Sequence, residues 1–167
     1  PQAFGQFLRE RLYNRVRPGA VHFLDGEAPD PEAECRRYAA LLQAHPVDIV
    51  CAGIGENGHL AFNDPHVADF DDPLMVKVVE LDETSRTQQV HDGCFPDLDS
   101  VPTLALTMTM PAMTAAQWIH TMVPGPTKAQ AVYDTLCRPL GTSCPATILR
   151  EHPQAILYVD QDSFSLL

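Results

Sequence analysis

His59 and Asp64 are the residues of this sequence whose types and spacing best suit proton transfer. Four residues separate them, so a tight turn or a first helical turn would bring the carboxylate to the imidazole. Histidine exchanges protons near neutral pH, and a carboxylate on one ring nitrogen fixes the tautomer and favours the charged ring. The spacing therefore predicts an acid/base pair. The alternative is a polar loop in which His59 bonds locally and Asp64 caps a helix.

A glycine-rich turn leads from an apolar run into this pair. Residues 49–54 are too few for a buried helix of usual length and predict a strand covered on both faces, as in a parallel sheet. Gly55 and Gly58 permit a ligand to come near the main chain, and Asn57 could hydrogen-bond a ligand hydroxyl. Ligands of open α/β sheets bind at the carboxyl ends of the strands. We therefore predict the site at this edge, although Asn57 and Gly58 alone also suit a simple turn.

The turn from Gly125 to Lys128 is a second candidate for ligand binding. It opens a predicted helix directly after an apolar strand, so free backbone N–H groups, the Thr127 hydroxyl and the Lys128 ammonium meet at one helix N-terminus. Such a place binds phosphate. The alternative is a surface lysine after a proline-initiated helix. Neither glycine turn has the G-x-x-x-x-G-K-[ST] order, so an ATPase is not indicated.

Other histidines and an arginine offer weaker signals. Arg86 and His91 lie on one predicted helix, where a solvated face accounts for both. His59, His66 and His91 could be considered as metal ligands, but their spacing matches no H-E-x-x-H or cysteine-rich zinc pattern. We therefore predict no metal.

The composition is that of an acidic globular protein. A chain of 167 residues fits one domain with a substantial core. The net charge of −11 argues against binding to nucleic acid or to an anionic membrane through a general positive field. Five widely spaced cysteines with no C-x-x-C pair favour a reduced, cytoplasmic protein. No run approaches the roughly 20 apolar residues that span a bilayer, and no charged-then-apolar leader opens the chain, which predicts a soluble protein.

Short apolar strands alternate with helices along the chain, and this alternation predicts a single layered α/β domain over residues 1–167 with a mainly parallel sheet. Residues 65–73 are acidic and irregular and could form a loop or lid. Because the chain begins at Pro1, without methionine and inside a predicted helix, we expect that an upstream portion is missing. The predicted helices are 2–16, 31–45, 82–90 and 128–136, with short helical segments at 110–116 and 145–152, and the predicted strands are 20–24, 49–54, 76–81, 103–108, 117–123 and 155–159.

The thirteen residues from Gly53 to Pro65, GIGENGHLAFNDP, resemble the signature of the glucosamine-6-phosphate deaminase (isomerase) family, which is related to the 6-phosphogluconolactonases. The resemblance extends to residues 24–26 and the helix after them, to residues 101–107 and to the turn at 125–128. It implies a Rossmann-like three-layer α/β/α fold, a homo-oligomer, and a reaction that needs neither metal nor organic cofactor. In that reaction glucosamine 6-phosphate is opened, isomerised through an enolamine and hydrolysed to fructose 6-phosphate and ammonia.

The resemblance also implies roles for individual residues. His59 matches the histidine that helps to open the sugar ring, and Asp64 stands where the family has a glutamate that supports it. Asn57 occupies the position of an aspartate in many members. Lys128 matches the lysine that holds the substrate phosphate.

Three departures from the family pattern limit this transfer. Asp64 is one methylene shorter than glutamate, so its contact with His59 would need a different backbone path or a water. The phosphate-binding arginine would fall near His91, after the helix that contains Arg86. The family's phosphate loop and the aspartate that removes the C2 proton precede the region where this chain begins. We therefore expect this chain alone to be inactive.

Two alternatives remain open beside the deaminase. A 6-phosphogluconolactonase-type hydrolase shares the fold and a similar glycine–histidine turn, but its turn usually continues without Ala-Phe-Asn followed by an acid. A non-catalytic sugar-phosphate sensor would keep the pocket and lack turnover. In all three cases the partner is a small sugar phosphate.

Overall fold

The computed structural model describes residues 4–167. Helix α1 begins with Phe4–Leu8, continues through a π-helical turn at Arg9–Tyr13 and ends with Asn14–Val16. The helix predicted at 2–16 is therefore confirmed from residue 4 onward, and its first two residues lie outside the described part. Arg17 ends the helix in a left-handed conformation, with φ of 49°, which is a common way for a helix to stop.

Helix α2 spans Pro31–Ala44, close to the predicted range of 31–45. The side chain of Asp30 accepts a hydrogen bond of 2.9 Å from the backbone N–H of Ala33, and Pro31 occupies the first helical position, where a missing N–H costs nothing.

The strand predicted at 20–24 is wrong. This segment has no strand beside it in the described part of the chain and runs along α2 instead. The guanidinium of Arg37 donates a hydrogen bond of 2.8 Å to the carbonyl of Phe23. A side chain of α2 thus provides a hydrogen bond of the kind that a neighbouring strand would provide in a sheet.

Five strands and three further α-helices follow in the described part of the chain. Most lie within two residues of the predicted bounds, and residues 65–73 form neither helix nor strand, as expected. The elements are β1 (Ile49–Ala52), β2 (Val76–Glu80), α3 (Glu83–His91), β3 (Leu104–Met108), α4 (Met110–Thr114), β4 (Trp118–Val123), α5 (Ala129–Cys137) and β5 (Ala155–Val159), with 3₁₀ turns at Leu98–Ser100, Pro126–Lys128 and Pro145–Glu151.

The larger sheet is parallel and has the strand order β1-β4-β5. Strands β2 and β3 pair antiparallel in a separate two-stranded sheet. The α/β class with a mainly parallel sheet is therefore confirmed. Both β1 and β4 end beside one another, so the glycine turn after β1 and the turn at residues 124–128 meet at the same edge of the sheet.

The core lies on one face of the parallel sheet. Ile119 and Val123 of β4 point into it and are almost fully buried, together with Val132 of α5. Burying each such side chain contributes about 1.5–3 kcal/mol. A smaller cluster joins Cys35 and Leu42 of α2 to β2. The buried members of the main core are Ile54, Leu60, Met110, Met113, Ile119, Val123, Ala131, Val132, Cys144, Ala146 and Leu149.

The opposite face of the parallel sheet is open to solvent among residues 4–167, so the prediction that residues 49–54 are covered on both faces is wrong. Exposure alternates along β1, where Ile49 is 56% exposed and Cys51 is also exposed. Trp118, Met122 and Tyr158 continue this apolar face across β4 and β5. Parallel sheets normally carry elements on both faces, and the described residues supply them on one face.

In the part of the chain that is described, every helix is too short or too polar to cross a membrane.

Candidate active site

The turn after β1 is built around two glycines. The N–H of Gly55 donates to the carbonyl of His59, and the N–H of Gly58 donates to the carbonyl of Gly55, both at 2.9 Å. The imidazole of His59 lies against Gly55, where a Cβ would come within 2.1 Å of the ring. Gly58 has φ of 84°, and a Cβ there would lie 2.6 Å from Sγ of Cys144. The space beside these two glycines is therefore occupied by side chains of the protein itself, those of His59 and Cys144.

His59 and Asp64 are brought together as their spacing predicts. Nδ1 of His59 lies 3.0 Å from Oδ1 of Asp64, and the contact is direct although the aspartate is shorter than a glutamate. Asn57 lies on the same side of the ring, with its Oδ1 2.7 Å from Nδ1. The same Oδ1 accepts a hydrogen bond of 3.0 Å from the backbone N–H of His59. The imidazole is thus fixed in place through Nδ1.

Asp64 is fully buried and is surrounded by donors. Its oxygens accept hydrogen bonds from Nδ2 of Asn57 at 3.0 Å, from the backbone N–H of Asp82 at 3.1 Å, and from the hydroxyl of Ser85. Burial alone would raise the pKa of Asp64, but the hydrogen bonds from His59, Asn57, Ser85 and the Asp82 backbone together hold that pKa well below its usual value. The carboxylate is therefore ionised at neutral pH.

Helix α3 supplies two polar groups of this cluster that the sequence analysis did not select. Asp82 caps the helix by accepting from the N–H of Ser85 at 2.7 Å, and its other oxygen accepts from Nδ2 of Asn57 at 2.8 Å. The cap turns the Ser85 hydroxyl inward, 2.9 Å from Nδ1 of His59. The sequence signal for this arrangement is the cap itself, since a residue three places after an N-cap faces the capping side chain.

A cavity of about 300 Å³ opens beside His59, and Lys128 lines it as well. Burial lowers the pKa of the Lys128 ammonium, while the carboxylates of Asp92 and Glu56 oppose part of that shift. A cation that has lost part of its water attracts an anionic ligand more strongly than a fully hydrated one. The lining consists of Gly53, Ile54, Gly55, His59, Ala61, Gln88, Asp92, Met122, Val123, Pro124 and Lys128.

Gln88 and Asp92 form the wall that α3 contributes, and the sequence analysis selected neither. Oε1 of Gln88 accepts a hydrogen bond of 2.9 Å from the backbone N–H of Glu56 in the glycine turn. Nε2 of Gln88 donates to Oδ2 of Asp92 at 3.2 Å. Gln88 thus ties α3 to the turn that carries His59.

Comparison with known proteins identifies the family. Residues 2–158 match the family described as glucosamine-6-phosphate isomerases/6-phosphogluconolactonase. The chain belongs to this family. It is 37% identical over 164 residues to a glucosamine-6-phosphate deaminase of Bacillus cytotoxicus, covering 98% of this chain and 61% of that protein. It is 35% identical over 167 residues to the deaminase of Listeria monocytogenes, covering 100% of this chain and 69% of that protein.

Solved structures of the deaminase/lactonase family share the fold. A structure described as a monomeric glucosamine-6-phosphate deaminase covers 98% of this chain with a TM-score of 0.89 and 33% identity, and 67% of its own chain is matched. A 6-phosphogluconolactonase of Thermotoga maritima covers 91% of this chain with a TM-score of 0.67 and 20% identity, which supports the fold alone. This chain spans about three fifths of the Bacillus cytotoxicus relative.

Arg86 and His91, which the family resemblance placed near the substrate phosphate, are not brought to the cavity. The guanidinium of Arg86 donates to the carbonyls of Leu98 at 2.7 Å and Val101 at 3.2 Å, and so holds the loop between α3 and β3. Its Nε is buried and has no hydrogen-bond partner among residues 4–167. His91 is exposed at the end of α3. Within the lining of the cavity, Lys128 is the only lysine or arginine that the described residues supply.

One group of side chains in residues 4–167 has the proximity that a metal ion requires. The ligand atoms of Asp64, His66 and Asp82 lie within 4.8 Å of one another. The Asp64 carboxylate already accepts hydrogen bonds from Asn57 and Ser85, and Asp82 already caps α3, so the oxygens of this group are engaged within the protein. Of the three histidines considered as ligands, only His66 belongs to the group.

Proposed function

We propose that this chain carries the ring-opening and phosphate-binding part of a glucosamine-6-phosphate deaminase. One observation carries the proposal. A buried, ionised carboxylate, Asp64, contacts Nδ1 of a histidine that lines a cavity shared with a partly buried lysine, Lys128. Deaminases among the curated relatives support the choice of substrate.

The ring-opening step needs one group that both takes and returns a proton. Nε2 of His59 has no hydrogen-bond partner in the protein among the described residues, and the ring lines the cavity. Nε2 accepts the proton of the anomeric hydroxyl, the bond between C1 and the ring oxygen breaks, and the ring oxygen takes the proton back. The product is the open-chain aldehyde. A positioned acid/base group of this kind typically contributes about 10²–10⁴-fold.

The isomerisation step needs a base that removes the proton on C2, and we assign no residue of this chain to it. By family resemblance that base is an aspartate, in the part of the relatives that this chain does not match. We therefore propose that His59, Asp64 and Lys128 suffice for ring opening and that deamination requires a further carboxylate, so the inactivity expected of this chain alone applies to deamination. Asn57 takes part by holding Asp64 rather than as a base.

Ammonia release tests the choice of reaction within the family. Incubated with glucosamine 6-phosphate, the native protein isolated from its own cells is expected to release ammonium and form fructose 6-phosphate. Hydrolysis of 6-phosphogluconolactone without ammonium release would assign the lactonase reaction instead. Sugar-phosphate binding in calorimetry without turnover of either substrate would assign a sensor.

The remaining expectations of the sequence stay proposals. We propose one domain over residues 1–167, a homo-oligomer, and a reduced, cytoplasmic setting in which the five cysteines stay as the free thiols seen in the structure. Gel filtration with light scattering tests the oligomeric state, and the solved relative described as monomeric gives the other outcome.

A further inference from the structure

We propose that Ser85 is a positioning residue that keeps the ring hydrogen of His59 on Nδ1 and leaves Nε2 bare toward the cavity. The proposal rests on the proposed role of His59 in proton transfer. Ser85 is 2% exposed, and its hydroxyl lies between the imidazole and the carboxylate, in contact with both. Its position three residues after the N-cap Asp82 turns its hydroxyl toward this cluster.

The hydrogens around Nδ1 can be assigned from the donors and acceptors that are present. An ionised carboxylate only accepts, so the single hydrogen of the Ser85 hydroxyl goes to Oδ1 of Asp64. The oxygen of Ser85 then has only lone pairs to offer His59, whose Nδ1 lies 2.9 Å away.

Asn57 leads to the same assignment independently. Its amide nitrogen donates to the carboxylates of Asp64 and Asp82, which fixes the carbonyl oxygen as the atom that faces Nδ1 of His59. Nδ1 is therefore surrounded by three acceptors, which belong to Asn57, Asp64 and Ser85. A neutral imidazole in such a cage carries its hydrogen on Nδ1, and Nε2 keeps a free lone pair.

Ser85, like Asn57, contacts both His59 and Asp64, and it does so through a single hydroxyl. Without its hydroxyl, Oδ1 of Asp64 would lose a donor in a site closed to solvent, and Nδ1 would lose one of three acceptors. A methyl group in the same place would leave the ring freer to adopt the other tautomer, with hydrogen on Nε2. That tautomer cannot accept the proton of the anomeric hydroxyl.

Nitrogen NMR of the histidine rings tests the proposal on this chain without any ligand. Two-bond ¹H–¹⁵N spectra distinguish the two tautomers, and loss of a signal set in His59→Gln identifies His59 among the seven histidines. We expect the wild type to hold hydrogen on Nδ1, and Ser85→Ala to show a mixture of tautomers. Ser85→Thr, which keeps the hydroxyl, should restore the wild-type pattern, and Thr84→Ala on the exposed side of α3 should not change it.

A second substitution covers the case in which Ser85→Ala does not fold. Ser85→Cys keeps the size of the side chain and weakens the hydrogen bond, and it should shift the tautomer in the same direction. A folded Ala or Cys variant with the wild-type tautomer, or a wild type with hydrogen on Nε2, would overturn the proposal.

In the ring-opening reaction Ser85→Ala should lower the rate about tenfold, as for the loss of one hydrogen bond to a charged group. A tautomer shift without any ring opening by the wild type would support the role of Ser85 and contradict the proposed function.

Discussion

The carboxylate of Asp64 is fully buried, yet His59, Asn57, Ser85 and the backbone of Asp82 all contact its oxygens. Four such contacts compensate for the water that the group lost on folding. The shorter aspartate also reaches the ring of His59 directly, at a position where the family resemblance has a glutamate. The turn that follows His59 carries the shorter side chain to the ring, with Ala61 in a left-handed conformation at φ of 52°.

Replacing Asp64 should change stability in a pH-dependent way. Its pKa is lowered in the folded state, so its ionised form adds stability that is fully present above the unfolded pKa of about 4 and is lost as the pH falls toward the lowered value. We expect Asp64→Asn to lower the free energy of unfolding by about 2–4 kcal/mol at pH 7. In urea unfolding, the difference from wild type should shrink between about pH 5 and pH 2.

The exposed Asp162 provides the matched control for this series. Asp162→Asn should differ from wild type by less than about 0.5 kcal/mol at every pH, as surface changes usually do. A constant difference for Asp64→Asn across the pH range would show that folding does not lower the pKa of Asp64.

Lys128 and Asp92 should affect phosphate binding in opposite directions. Lys128→Ala removes the cation of the cavity and should weaken the binding of glucosamine 6-phosphate about tenfold or more, whereas Asp92→Asn removes an opposing carboxylate and should strengthen it. Isothermal titration calorimetry measures both, with the exposed Arg36→Ala as control. Equal affinities for wild type and Lys128→Ala would remove the phosphate role from this lysine.

At the scale of elements, α3 organises the site although it contains none of the residues matched to catalysis. Asp82, Ser85, Gln88 and Asp92 follow one another at intervals of three, three and four residues, which places them along one side of the helix and its ends. Three of them contact the glycine turn or the residues that it carries. The helix therefore sets the orientation of His59.

Gln88→Ala should loosen the glycine turn without unfolding the protein. The backbone N–H of Glu56 donates to the side chain of Gln88, so truncation of Gln88 to alanine leaves that N–H without its acceptor. We expect the exchange of the Glu56 amide hydrogen with solvent to become about fivefold faster, as for one hydrogen bond of about 1 kcal/mol. The neighbouring Gln89→Ala is the control, and unchanged exchange in Gln88→Ala would mean that α3 does not restrain the turn.

Some elements and site residues could be predicted from sequence patterns, and others could not. The bounds of α2 and α3 were predicted correctly because their start signals are local, since Asp30 and Asp82 each accept a hydrogen bond from the first turn of the helix that follows. The apolar residues at 20–24 have the same pattern as a strand, but pairing depends on a neighbour that the pattern does not contain. Ser85 and Gln88 resemble a solvated helix face, since only the packing of α3 against the glycine turn makes them polar partners.

At the scale of the whole molecule, one face of the parallel sheet is exposed among the described residues, and the chain matches only part of the length of its relatives. Ile49, Trp118 and Tyr158 form an apolar surface that the described residues leave exposed, on a type of sheet normally covered on both sides. The matched part amounts to 61% of the Bacillus cytotoxicus deaminase. In the proposed mechanism this chain supplies His59 and Asp64 for ring opening, and no residue of it is assigned as the base for C2.

The central claim is therefore that His59, held by Asp64, opens the sugar ring. Exchange NMR between the two anomers of glucosamine 6-phosphate measures this step alone, on this chain, without any need for deamination. We predict that wild type accelerates the exchange over buffer, that His59→Ala lowers the rate by about 10²–10⁴-fold, and that the exposed His45→Ala does not. Exchange no faster than in buffer, or equal rates for wild type and His59→Ala, would contradict the claim.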